Sequence, residues 1–113
     1  MTEYMIYKIL SAEDWARARQ TGISQTALDE GDGYVHFSTR DQVAETLRLH
    51  YKGAMDVRLL ECRLEGFTDL RWEPARDGTL FPHLYEAFSI HKAQRVWTLE
   101  LGVESVPKLP EDL

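Results

Sequence analysis

Two short segments concentrate the side chains able to do chemistry. Gly33-Tyr34-Val35-His36-Phe37-Ser38-Thr39 sets an imidazole and two hydroxyls at the end of a strand-like run, just before a helix signal. Alternate side chains of an extended strand share a face, so Tyr34, His36 and Ser38 stand together while Val35 and Phe37 turn to the core. The second segment, Leu80-Phe81-Pro82-His83-Leu84-Tyr85-Glu86, puts Phe81, His83 and Tyr85 on one face if extended and adds a carboxylate. An imidazole, a phenol and a carboxylate this close are costly to bury without partners, which favours a functional role for His83, Tyr85 and Glu86. Rings beside an imidazole suit a flat heterocycle, although an aromatic core is an equal reading of Phe81.

His36 is the strongest single candidate, weighed against a half-buried histidine bonded to a backbone carbonyl. Ser38 or Thr39 reads as the N-cap of the next helix, and the free N–H groups of a helix start can also hold a phosphate or a ribose hydroxyl. Arg76 is either a turn residue or an anion clamp, and Trp72 reads as core. His50 on an amphipathic helix edge and His91 beside Lys92 in a loop both read as bland surface residues. The lone Cys62 lies in an apolar run, as a buried inert thiol would. Glycine-rich phosphate loops, the paired histidines of a zinc helix and a serine elbow are all missing from the sequence. A metal site would need His36 and His83 to meet with a carboxylate such as Glu86, so no metal is expected.

The elements that must position these residues fit one domain over residues 1–113, since 113 residues support a single core. A hydrophobic content of 43% with 28% charged residues is that of a globular chain, and no apolar run is long enough for a membrane span. The start, with Glu3 and Lys8 around a short apolar stretch, lacks a secretory pattern, so the expected location is the cytoplasm. The net charge of −6 argues against a nucleic-acid backbone as partner, although a few of the scattered basic residues brought together by the fold could hold the phosphates of a nucleotide-like small molecule.

Met5 to Leu10 reads as an interior strand with Lys8 its odd member. Ser11 caps a helix near 12–21 that ends at Gly22, with Trp15 and Ala16 as its anchors. Residues 23–33 read as a polar loop, expected to be mobile and to cover the His36 strand at 34–38. A helix near 40–52 follows, buried through Val43, Leu47 and Tyr51. Asp56 to Leu64 is a strand with Leu60, Cys62 and Leu64 on one face and Val57 and Leu59 on the other. Leu70 to Glu73, then extended pieces from Thr79 to Ser89 broken at Pro82, then Gln94 to Val103 complete the strands, the last with Trp97, Leu99, Leu101 and Val103 inward. The tail from Glu104 reads as a loose surface segment. Helices early and antiparallel strands late make this an α+β chain.

Tyr7-Lys8-Ile9-Leu10, Trp15, Gly22, Tyr34-Val35-His36-Phe37-Ser38-Thr39, Trp72-Glu73, Arg76 and Leu80-Phe81-Pro82-His83-Leu84-Tyr85, in this order, resemble the bacterial domain-of-unknown-function family nine hundred fifty-two. That family is distantly similar to the ADP-ribosyltransferase fold, a split pair of antiparallel sheets around an NAD cleft, and most of all to its RNA 2′-phosphotransferase branch. There a strand like Val35-His36-Phe37-Ser38 lines the cofactor site. The branch also carries a histidine on its first strand, where this chain has Tyr7-Lys8-Ile9, so Lys8 stands as a cation in its place. The resemblance implies NAD as the cofactor, with His36 and Ser38 on a ribose or phosphate oxygen, Phe81 or Tyr85 stacked on nicotinamide and Glu86 stabilising oxocarbenium charge.

Two readings follow. The first is an NAD-type cleft that transfers or hydrolyses its ligand, with His36, His83 and Glu86 catalytic and Lys8, Tyr34, Ser38, Thr39, Arg76, Phe81 and Tyr85 binding. The alternative is a non-catalytic small-ligand or protein-binding module on the same fold, favoured by the missing first-strand histidine. A metal-dependent hydrolase using His36 and His83 is a third. Under the first two, His36 and His83 share one cleft; under the first, NAD or ADP-ribose stabilises the folded chain, whereas no response to any nucleotide favours the second.

Overall fold

The computed structural model describes residues 4–113; Glu3, used above in reading the chain's start, lies outside them. Among the described residues the order is β1 (Met5–Leu10), α1 (Ala12–Thr21), β2 (Ile23–Ser24), α2 (Ala27–Asp32), β3 (Val35–His36), α3 (Arg40–His50), β4 (Val57–Arg63), β5 (Leu70–Pro74), β6 (Leu80–Leu84), β7 (Phe88–Ser89) and β8 (Ala93–Leu99). Every strand pairing is antiparallel, in sheets β1-β4-β8, β3-β6-β5 and β2-β7. The chain is α+β.

β4 is the middle strand of the first sheet, and its alternation divides the core in two. Leu60 and Cys62 join Ile6, Leu10, Phe37, Leu84 and Phe88 on one face, while Val57 and Leu59 join Ile9, Val43, Leu47 and Leu99 on the other. Burial pushes the Cys62 thiol up to about 12, with the Glu61 carboxylate beside it adding to the effect. Cys62 is therefore expected to resist a thiol reagent at neutral pH until the protein unfolds; labelling of the native chain as fast as of the unfolded chain would contradict its buried place.

The second sheet carries the two histidines. β3 pairs with β6 so that Val35 faces Leu84 and His36 faces His83, and Tyr7 and Ser38 exchange backbone hydrogen bonds of 2.8 Å in each direction that join the two sheets. Pro82 does not break β6. The carbonyl and nitrogen of a strand residue point to the same neighbour, and Pro82 O accepts from Phe37 N on the side where β3 has already ended. The missing N–H is thus not needed by β5. A tight turn joins β5 to β6, closed by Ala75 N to Thr79 O (2.8 Å) and Gly78 N to Ala75 O (2.9 Å).

Other expectations need correction. Residues 23–33 are not a loop: Thr26 caps α2 by accepting from Asp29 N, and Gly33 ends it in the left-handed conformation. Ala18 rather than the exposed Ala16 anchors α1 beside Trp15, because Ala18 is the residue that faces Ile6 and Leu10. Trp72 is 41% exposed on an edge strand, not core. β8 stops at Leu99, and Val103 is 86% exposed in a helical turn that follows. The tail is not loose, since Val106, Leu109 and Leu113 pack on the core cluster around Leu47 and Leu59. Their apolar side chains gain by that burial.

Candidate functional site

Lys8 shares a face of β1 with Ile6 and Leu10, so its side chain runs through the core to reach α2. Its Nζ lies 2.7 Å from Asp29 Oδ2 and donates to His36 O at 2.9 Å, with both side chains of the ion pair almost wholly buried. Asp29 Oδ1 accepts from His36 N (3.1 Å) and contacts His36 Nδ1 at 2.6 Å. Burial pushes Asp29 up, but His36 and Lys8 outweigh it and hold the carboxyl at about 2; burial pushes Lys8 down. His36 Nε2 in turn lies 3.0 Å from Asp32 Oδ2, so both of its nitrogens face carboxylates of α2. His36 is thereby a bracket between β3 and α2.

His83 differs. Its Nδ1 lies 2.8 Å from Glu73 Oε1, which also accepts from Tyr85 OH at 2.6 Å, and its Nε2 has no partner among the described residues. Arg71 faces His83 across the β5–β6 pair, which places Glu73, two residues on, within diagonal reach on the same side of the sheet. Hydrogen bonds from Tyr85 and then His83 hold Glu73 below its usual range. An ionised carboxylate only accepts, so Nδ1 donates to Glu73, and in the neutral imidazole that tautomer leaves the lone pair on Nε2. The Tyr34 ring stacks on His83 with centroids 4.1 Å apart and lies 4.6 Å from His36, and the two imidazoles are 5.5 Å apart.

These residues border a cavity of about 740 Å³ between α2, α3 and the β5–β6 turn. Lys8, Tyr34, His36, Ser38, Phe81 and His83 line it, as do Asp29, Asp41, Gln42, Asp77 and the exposed Leu28 and Leu49 at its rim. His36 and His83 thus share one cleft, as expected. Glu86 does not enter it: its Oε1 accepts from Thr68 N, Thr68 Oγ1 and Asp69 N, tying down the turn before β5. Tyr85 and Glu86 border a shallower depression near Phe88 instead. Arg76 is an exposed turn residue outside the lining, and Thr39 is the N-cap of α3, its N–H bonded by Gln42 Oε1. Lys8 lines the floor, but Asp29 and the His36 carbonyl engage its ammonium. Among the described residues no group of three His, Cys, Asp or Glu side chains is set to hold a metal ion.

Asp29 and Glu73, the carboxylates that orient the histidines, were not singled out by sequence reasoning. The cap pattern Thr26-x-x-Asp29 before Gly33 is the one local signal for the first. Glu73 is recognisable only once the β5–β6 register is known.

A second buried carboxylate, Glu61, accepts from Tyr7 OH (2.7 Å), Gln94 Nε2 (2.8 Å) and Arg95 Nε (2.9 Å), and these bonds, Arg95 first, hold it at about 2 despite burial. Asp29 and Glu61 therefore have folded-state values below their ordinary 3.8 and 4.5. Their contribution to stability is complete above about pH 4.5 and falls away as pH drops towards 2. The melting temperature should decline across that window, and Glu61→Gln should flatten the decline; an equally steep decline in the variant would remove Glu61 as a cause.

The family described as "Protein of unknown function (DUF952)" matches residues 9–96. The crystal structure of protein CC0527 from Caulobacter crescentus superposes with a TM-score of 0.86 at 36% identity, covering 92% of this chain and 93% of that one. The solution NMR structure of the same protein gives 0.82 at 35% identity with 96% of each chain covered. No curated protein matches the chain.

Proposed function

The chain belongs to the DUF952 family, and we propose that its cleft binds the ring-bearing end of NAD or a related nucleotide and transfers or hydrolyses it at the glycosidic bond, on an ADP-ribosyltransferase-like fold. The observation that carries this reading is His83, which lines the cleft with Tyr34 and Phe81, its Nδ1 held by Glu73 and its Nε2 without a partner among the described residues. Two antiparallel sheets meeting beside that cleft at Tyr7 and Ser38 support the fold assignment. A cavity of about 740 Å³ suits a small ligand or one end of a larger one.

The chemistry follows from the free nitrogen. Nε2 of His83 accepts the proton of the attacking hydroxyl, from water or an alcohol, as its oxygen bonds to C1′ of the ribose. The C1′–N bond breaks with its electron pair leaving on nicotinamide, which departs neutral. Glu73 stabilises the imidazolium formed, and a ring stacked on Tyr34 or Phe81 is held in place for departure. Glu86 plays no part in this account, and His36 positions α2 rather than reacting.

NAD at millimolar concentration is expected to raise the melting temperature and to release nicotinamide slowly in the presence of the wild-type chain. Stabilisation without release would favour the non-catalytic binding module. Neither effect with a folded protein would sink the reading.

A further inference from the structure

Resting on that reading of the site, we infer that the cleft selects the cationic N-ribosyl heterocycle itself, a nucleoside bearing a ring positive charge, and keeps phosphate groups outside. Among the described residues Lys8 is the sole lysine or arginine in the lining, and its charge is already matched by Asp29 at 2.7 Å. The start of α3, where a phosphate would ordinarily find free N–H groups, carries Asp41 in its first turn, and the N–H of the Thr39 cap before it is already taken by the Gln42 side chain. A carboxylate there already uses the positive end of the helix and repels a second anion.

Opposite, at the tip of the β5–β6 turn, Asp77 accepts from Thr79 N, which holds its carboxyl below the usual range and so ionised. Asp14 and Glu45 also line the cleft but are paired with Arg17 and Arg48, so Asp41 and Asp77 carry the uncompensated charge. Acidity alone would identify no ligand. The independent sign is His83, a buried residue of the lining whose ring stacks on Tyr34 and whose Nδ1 is taken by Glu73, leaving Nε2 without a partner among the described residues. A flat ring entering there meets aromatic faces, an acceptor nitrogen and a negative rim, a setting that favours a pyridinium over an anion.

Calorimetry at low salt with nicotinamide riboside, nicotinamide mononucleotide and ADP-ribose tests this, because the three add phosphate stepwise and the last removes the cationic ring. The riboside is expected to bind at least about tenfold more tightly than the mononucleotide, with ADP-ribose weakest. Asp41→Asn combined with Asp77→Asn, both at exposed positions, should narrow that gap and weaken the riboside by about threefold to tenfold. Equal or tighter binding of the mononucleotide or ADP-ribose overturns the charge selection while leaving the nucleotide cleft standing. Binding of none of the three, by a folded chain, overturns both.

Discussion

Asp29→Ala is expected to lower the stability of the domain by about 3–5 kcal/mol, the range for removing one member of a buried ion pair. The residue lies in a six-residue helix that sequence periodicity does not reveal, yet its two oxygens serve Lys8 Nζ, His36 N and His36 Nδ1. Alanine leaves the ammonium of Lys8, a residue only 3% exposed, with the His36 carbonyl as its remaining partner. Denaturant unfolding measures the loss. Lys8→Met together with Asp29→Leu should cost less than the sum of the single substitutions, because the charge left stranded by either one is gone. A loss below about 1 kcal/mol for Asp29→Ala would mean that Lys8 finds water or another partner, contrary to its burial.

The second large effect is expected at His83. If its Nε2 accepts the proton of the attacking hydroxyl, His83→Asn should slow nicotinamide release by about 10²–10⁴-fold while changing ligand affinity by less than about threefold. Glu73→Gln should act in the same direction more weakly, since an amide can still accept from Nδ1–H but no longer stabilises the imidazolium. His36→Ala supplies the contrast. It removes the bracket on Asp29 and Asp32 and should reduce stability first, with rate falling only as folded protein is lost. A His83→Asn chain as active as wild type would return that histidine to a structural role.

Much of the scaffold was legible in the sequence because long, periodic elements declare themselves. α1 spans Ala12–Thr21 with Ser11 and Gly22 as its caps, and the two faces of β4 sort into the two halves of the core as its alternation predicts. The meeting of His36 and His83 was also foreseen, and the register explains it, since they are opposite partners of one antiparallel pair. Short elements were another matter. α2 has too few residues for a helical stripe, so its polar composition reads as a loop until Thr26 and Gly33 are seen as its caps. Glu86 looked reactive by its nearness in sequence to His83, whereas alternation and the turn before β5 draw its carboxylate away to Thr68 and Asp69. The orienting groups came from elsewhere: Glu73 from the neighbouring strand and Asp29 from α2. Polar partners across a sheet depend on register, which local composition does not encode.

The turn joining β5 to β6 is the part of the cleft wall that owes least to the core. Pro74, Ala75, Asp77 and Thr79 border the cavity, yet every residue from Pro74 to Leu80 is exposed and the turn is closed by its own backbone bonds. Residues can be added at such a tip at small entropic cost and without disturbing β5 or β6. The hairpin is a dial for design: a longer turn is expected to deepen the pocket and a shorter one to open its mouth, with the histidine pair behind it still in register. Grafted turns of different length are therefore the natural route to diversifying what this scaffold accepts.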